Sequence, residues 1–365
     1  MLKSCFLEDA PMPHLFLLSA FVASFFCYFK KRYRAIAYMF PFFVLWIFAA
    51  LRYGYGNDYF SYYNAFLNIK AGGQAFREEG LFVLLMKVFP DFYTFIAFAS
   101  LITIYPVYKL VSRYLEAKYL PVAMFIYCFN PYFFLISLSA IRQFIAISCF
   151  VLATYYSYKK KPVLYLVIIV IASLIHSSAI VLVPVYFVAN DKKIPSWALF
   201  LFAVATAVLL LSGEYFLSLI NKVLEIIENE DYSHHFENGA TSSLRSVVLS
   251  SIFLLYTVLN INKLEGKVLM FAKLYLIGTA IAVLSFHVNM LVRLQYYFDV
   301  FSVVVIPTIM RCNSITSPKS VSGLINKYLC PILMFGTLMG RYFNFFNDPL
   351  WERFVNYRTI FDVLF

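Results

Sequence analysis

Charge is scarce in this chain: Asp, Glu, Lys and Arg make up 13% of its 365 residues, about half the share of a typical soluble domain, and windows of 15 to 20 residues carry none. An ordinary water-soluble domain is excluded. The six cysteines (Cys5, Cys27, Cys128, Cys149, Cys312 and Cys330) form no CxxC pair and sit mostly in apolar runs, which supports neither a disulfide framework nor a zinc site. His234 and His235 are adjacent and diverge on a helix or a strand, so they make no metal pair. There is no GxSxG elbow, HExxH helix or Walker lysine, and the Gly54 to Gly56 GYG lacks the strand and helix of a nucleotide loop. No metal, nucleotide or other cofactor is expected. Internal repeats and low-complexity tracts are absent as well. Acidic residues precede the first apolar run and no small-residue cleavage site follows it, so that run reads as a retained helix and not a secretory signal.

What the chain does have is apolar length. Hydrophobic residues account for 62% of it. A helix needs about 20 residues at about 1.5 Å each to cross a hydrocarbon core of about 30 Å. Twelve apolar segments can be drawn, at 14–29, 35–51, 92–111, 119–137, 142–158, 163–175, 177–189, 196–213, 246–261, 268–286, 293–310 and 328–343. The expectation is an all-α, polytopic integral membrane protein of about 11–12 transmembrane helices in a single domain, 1–365, with both termini outside. Segment 163–189 is either one tilted helix or two helices broken near His176-Ser177-Ser178; basic residues at both of its ends favour an even number of crossings.

The net charge of +11 lies in short clusters between apolar runs: Lys30 to Arg34, Lys109 to Lys118, Lys159 to Lys161, Lys192-Lys193, Lys263 to Lys273 and Arg311 to Lys327. Placing all six in the cytoplasm satisfies the positive-inside rule, so the basic balance reports topology and makes no case for nucleic acid. Two long outer loops remain, 52–91 and 214–245. In the first, the apolar piece Leu81 to Phe89 is too short to span and reads as interfacial or re-entrant. In the second, Leu217, Ile220, Leu224 and Ile227 repeat at helical spacing opposite acidic residues, as in an amphipathic lid.

On this topology ionisable residues gather at the outer face: Arg52 and Asp58 after the second segment, Arg142 and Gln143 opening the fifth, His176 at the break, and His287 and Arg293 beside the eleventh. Charges at membrane depth cost free energy, which makes each a candidate for function. Arginine's planar fork suits a phosphate, and histidine titrates near neutral pH, as a base for a hydroxyl proton requires. The plainer alternatives are that Arg142 and Arg293 snorkel to the interface, that His176 bonds a neighbouring helix, and that Asp58 caps its turn. Asp299 is either a buried partner for a cation or part of a cavity wall. Tyr53, Tyr55, Tyr59, Tyr62 and Tyr63 cluster outside the membrane, where aromatic rings either anchor to the interface or stack on sugars.

The run SLSAIRQFIAISCFVLATYYSYKKKPVLYLVIIVIASLIHSSAIVLVPVYF resembles the central signature of EpsG-like, Wzy-type polysaccharide polymerases. The earlier pattern of Arg52, Gly54, Gly56, Asp58, Tyr59 and Tyr62 is similar to that family's first outer loop, and RLQYYFDVFSVVVIP and NYRTIF resemble its closing segments. The resemblance runs through most of the chain in order, carried by short motifs in combination. It implies a bacterial inner-membrane enzyme that lengthens O-antigen, capsule or exopolysaccharide at the periplasmic face. The growing glycan passes from undecaprenyl diphosphate to the non-reducing sugar of the next lipid-linked unit. It further implies that Arg142, Arg293 and Arg52 hold the diphosphate, that His176 or Asp58 takes the acceptor's proton, and that Gln143, Tyr55, Tyr59 and Tyr62 orient sugars. The expected partners are the lipid-linked oligosaccharide, membrane lipid and a chain-length regulator, with no metal. Asp299 departs from the family pattern. A flippase for the same lipid-linked unit and a membrane O-acyltransferase acting on the same glycan stay open. The first would place charges near mid-membrane and open to both faces, and the second would favour a histidine or arginine near the inner face.

Overall fold

The computed structural model describes residues 12–28, 34–76, 79–213, 244–287, 291–315 and 320–364. The expected lid helix, most of loop 214–245 and the pair His234-His235 lie outside them. The protein is an all-α membrane protein, with one two-stranded pairing as its only sheet among the described residues. It divides into two compact units, Met1–Ala189 with Leu338–Phe365, and Asn190–Thr337.

In the first unit α1 (Met12–Ala23), α2 (Arg34–Leu51), α3 (Tyr59–Lys70), α4 (Gly80–Val88), α5 (Phe92–Tyr114), α6 (Leu120–Phe129), α7 (Phe134–Ser139), α8 (Ile141–Tyr158) and α9 (Pro162–Ile175) follow in order. Asp91 starts α5 by accepting the Thr94 N–H at 2.8 Å, as N-cap aspartates do. The lysine turn after α8 closes through Lys160, which takes a left-handed backbone at φ 54° and donates its N–H to Ser157 at 2.9 Å. Helix α9 ends at His176, extended at φ −151°, and the chain continues as a 3-10 helix, Ser177–Phe187. The segment 163–189 is therefore two helices. They are tied by the Tyr165 hydroxyl on the Leu182 carbonyl at 2.6 Å, while Ser157 of α8 bonds Ala189 O at 2.8 Å. Ser148 Oγ joins α8 to α5 by donating to Ile102 O at 3.0 Å. Beneath the loop that follows α2, Tyr62, Phe66, Phe82, Phe92, Phe95, Ile141, Ile145 and Ile175 form one buried cluster that fixes α3, α4, α5, α8 and α9 against each other.

Strand β1 (Arg52–Tyr53) pairs antiparallel with β2 (Arg358–Thr359), Arg52 opposite Thr359 and Tyr53 opposite Arg358. The pairing is reinforced by Ile360 N–H on Leu51 O at 2.9 Å and by the Tyr357 hydroxyl on Phe48 O at 2.7 Å. Two segments far apart in sequence, the loop after α2 and the NYRTIF stretch, thus become one structure.

The helices of the second unit include α10 (Ser196–Leu211), Leu244–Asn260, Gly266–Leu284, and Leu291–Asp299 followed by Ser302–Ile315. The last two are bent by 56° at their break. Gly278 allows the Gly266–Leu284 helix to approach that break, since a Cβ there would meet Phe298 Cβ at 2.7 Å and Asp299 Oδ1 at 3.3 Å. Gly278→Ala is expected to destabilise the protein by about 1–3 kcal/mol, as overpacking does. A lowered melting temperature in detergent checks it, and unchanged melting would show that the contact relaxes.

Three described helices are long and apolar enough to cross a membrane, Phe92–Tyr114, Gly266–Leu284 and Val321–Asn347, or four if the bent pair is one span. The other apolar segments among the expected 11–12 form shorter helices in this structure. Apolar runs such as 163–189 are cut by breaks into pieces of 10–17 residues. At about 1.5 Å per residue, α9 with 14 residues reaches only about 21 Å. Helix α8 has 18 residues, but Arg142, Gln143 and its terminal tyrosines dilute its hydropathy.

Candidate functional site

The loop after α2 is shaped by two glycines. Gly54 has φ +64° and Gly56 φ +106°, conformations that side chains rarely adopt, and a Cβ on Gly56 would lie 3.2 Å from Leu138 O. That close approach to α7 sets Asp58 against Ser139. The Asp58 N–H donates to Ser139 Oγ at 3.1 Å, and the Ser139 hydroxyl donates back to Asp58 Oδ2 at 3.0 Å. One turn further on, the Tyr62 N–H bonds Asp58 O at 3.0 Å, which brings the Tyr62 hydroxyl toward α8.

Ala140, at φ −84° and ψ 53°, breaks α7 from α8 and starts α8 with Arg142 in its first turn. The guanidinium lies 4.3 Å from the Phe76 ring centroid and 5.9 Å from that of Tyr62, and its Nε donates to the Tyr62 hydroxyl at 3.4 Å. Cation–π contact of this kind holds the planar group in one orientation. Phe76 itself has φ 51°, a backbone geometry that costs an L-residue about 1–2 kcal/mol.

Between Arg142 and His176 stands Glu79. It precedes α4, and its carbonyl accepts the N–H groups of Phe82 at 3.0 Å and Val83 at 3.2 Å, but its side chain caps nothing. Instead Oε2 takes an ion pair with Arg142 Nη1, and Oε1 bonds His176 Nδ1 at 2.8 Å with the Ser177 N–H at 3.4 Å. The Glu79 side chain is 6% exposed, those of His176 and Arg142 18% and 29%. Burial alone would raise the Glu79 pKa. The His176 hydrogen bond and the Arg142 charge outweigh it and hold the carboxyl below its ordinary range.

The structure thus joins Arg142, Tyr62 and His176 in one network and seats Asp58 one helical turn from Tyr62. It places other expected residues differently. Arg52 is buried, with donors on the Ala49 carbonyl, Ser100 Oγ at 2.9 Å and Leu138 O at 3.3 Å, so its fork braces α2, α5 and α7 and is not offered to an anion. Tyr55 and Tyr59 are fully buried. Tyr55 packs against Phe48, Phe354 and Tyr357, and Tyr59 against Tyr53, Phe60 and Phe92, which leaves no ring face for a sugar. Tyr62 is likewise buried and meets Arg142 through its hydroxyl. Gln143 is buried in the first turn of α8. These rings and the Gln143 amide thus lie in the core beneath the loop. Arg293 is exposed on the Leu291–Asp299 helix of the second unit, where Gln295 donates to the buried Asp299. His287 bonds Leu210 O at 2.7 Å.

Sequence reasoning missed Glu79. Its signal was a pair of acids set directly against the apolar Leu81 to Phe89 piece, where a buried carboxylate needs a cation. Among the described residues no group of acids, histidines and cysteines could hold a metal.

The EpsG family model matches residues 35–359, nearly the whole chain. The chain belongs to the EpsG family. That membership makes it a membrane protein of polysaccharide biosynthesis, and the match takes in β1, the Glu79 network and β2 alike. Comparison with curated proteins and with solved structures gives no match.

Proposed function

We propose that this EpsG-family protein is a polysaccharide polymerase of the Wzy type. It would move a growing glycan from undecaprenyl diphosphate to the non-reducing end of a lipid-linked repeat unit, at the periplasmic face of a bacterial inner membrane. The observation that carries this is the partly exposed guanidinium of Arg142, oriented over Phe76 and joined through one carboxylate to His176 where the outer loop meets α8 and α9. An oriented arginine stabilises the charge that develops on a departing diphosphate. An imidazole in the same network takes the proton of the attacking hydroxyl. Asp58, tied to Ser139, shapes the loop. A chain-length regulator would act outside this site.

The test is the length distribution of the surface polysaccharide, whether O-antigen, capsule or exopolysaccharide, in a strain lacking the gene and complemented with wild type. Collapse of the ladder to single repeat units, restored by the wild-type protein, is the expected result. Loss of all repeat units from the surface would instead indicate a flippase. Full chains lacking only acyl groups would indicate an O-acyltransferase.

A further inference from the structure

Glu79 is bonded as no simple counter-ion would be. A carboxylate needed only to neutralise Arg142 could lie in water, yet of Glu79, His176 and Arg142 the carboxylate is the most buried and the guanidinium the most exposed. What faces outward is therefore the cation, with one end of its fork covered by a carboxylate oxygen of the same chain. A carboxylate gripping a single Nη is a weak hold compared with the bidentate hold that phosphate oxygens take on a guanidinium. The second carboxylate oxygen stays on His176 and on the Ser177 N–H whether or not Arg142 is engaged, because those donors lie at the junction of α9 and its 3-10 continuation.

We propose that Glu79 occupies on Arg142 the place that the substrate's diphosphate takes, and that through His176 it is a positioning residue whose full charge turns to the base once that exchange has occurred. The inference rests on the polymerase reading above. In the resting site Glu79 accepts the Nδ1–H of His176, which leaves the lone pair on Nε2. When diphosphate oxygens take the Arg142 fork, the carboxylate charge is no longer shared with the guanidinium and acts on the imidazole alone. In the transfer, the acceptor hydroxyl oxygen bonds the anomeric carbon, and the bond from that carbon to the phosphate oxygen breaks. The diphosphate leaves with the electron pair, held by Arg142, and the hydroxyl proton passes to Nε2. The imidazolium so formed is paired with Glu79. Release of the diphosphate returns Glu79 to Arg142, and the proton passes to water. Binding of the donor thereby prepares the base, so the donor's diphosphate and the acceptor's deprotonation are coupled through one side chain.

The experiment uses the full-length protein in lipid nanodiscs, with undecaprenyl diphosphate as the binding probe and chain extension as the second readout. Glu79→Gln is isosteric, keeps an acceptor for His176 and drops the charge. It is expected to bind the probe about tenfold more tightly, the worth of one charge-assisted hydrogen bond no longer competed for. Extension in the same variant is expected to fall about a hundredfold. A scaffold residue would not tighten binding when altered, so unchanged or weaker affinity in Glu79→Gln overturns the exchange, and normal extension overturns the positioning role. Glu79→Asp keeps the charge and guards against a folding failure in the amide variant. Its shorter arm loosens the hold on Arg142, so affinity rises and extension falls by smaller factors, and wild-type values for both would sink the proposal. Arg142→Ala separates the two levels. If it binds the probe as the wild type does, the diphosphate-site reading fails and this inference falls with it. If it loses the probe while Glu79→Gln gains no affinity, only the inference fails.

Discussion

Arg142→Ala is expected to cut chain extension by about 10²-fold or more, the range seen when one donor to developing negative charge is removed. Interpretation needs the neighbour considered. Alanine leaves Glu79 buried with its main cation gone, and breaking a buried pair from one side costs about 3–5 kcal/mol. Poor accumulation of the single variant would therefore say little about catalysis. The double variant Arg142→Ala with Glu79→Ala removes the stranded charge and is expected to accumulate near the wild-type level while extension stays absent. Arg142→Lys keeps the charge but neither the fork nor the plane stacked over Phe76, so partial extension is expected. A full-length ladder from the double variant would remove Arg142 from the site.

The second large effect is expected from His176→Gln. Glutamine can still donate to Glu79, so the junction of α9 with its 3-10 continuation should hold, but it cannot take a proton. General-base catalysis contributes about 10²–10⁴-fold, and extension should fall by that order while the lipid-linked donor binds as before. The split matters, because a histidine that only braced the fold would be replaced by glutamine with little loss of either binding or turnover. Normal chain lengths in this variant would pass the base to another group, with Asp58 the next to test.

The elements the sequence made legible are those whose ends are marked by chemistry. Segment 142–158 became Ile141–Tyr158 because Arg142 opens it and the lysine turn closes it, and the break at His176 separates α9 from a 3-10 helix. The short piece at 81–89 became the nine-residue α4, Gly80–Val88, for the same reason, with acids before it and Pro90 after the extended Phe89. The Glu79 network was not legible. It joins residues 63 and 97 positions apart in sequence, and nothing local to FREEG shows which cation its carboxylate meets. The burial of Tyr55 and Tyr59 was not legible, because a tyrosine beside a membrane is equally at home at an interface, on a sugar and in a core; only packing decides. Nor was the burial of Arg52 legible, since a guanidinium that braces three helices has the same sequence appearance as one that awaits an anion. Helix ends and lengths were not legible where bends interrupt apolar runs, as between Asp299 and Ser302, because hydropathy records composition and not direction.

The pairing of β1 with β2 has a consequence for biogenesis. The Tyr357 hydroxyl closes on Phe48 across 309 positions, and Arg52 and Tyr53 find their partner strand at a similar distance. A ribosome must therefore deliver almost every intervening helix to the membrane before the loop that carries Asp58 can be clasped. Nascent chains that stall partway insert without completing the loop, so its strand pairing forms only in molecules whose synthesis has gone past residue 359.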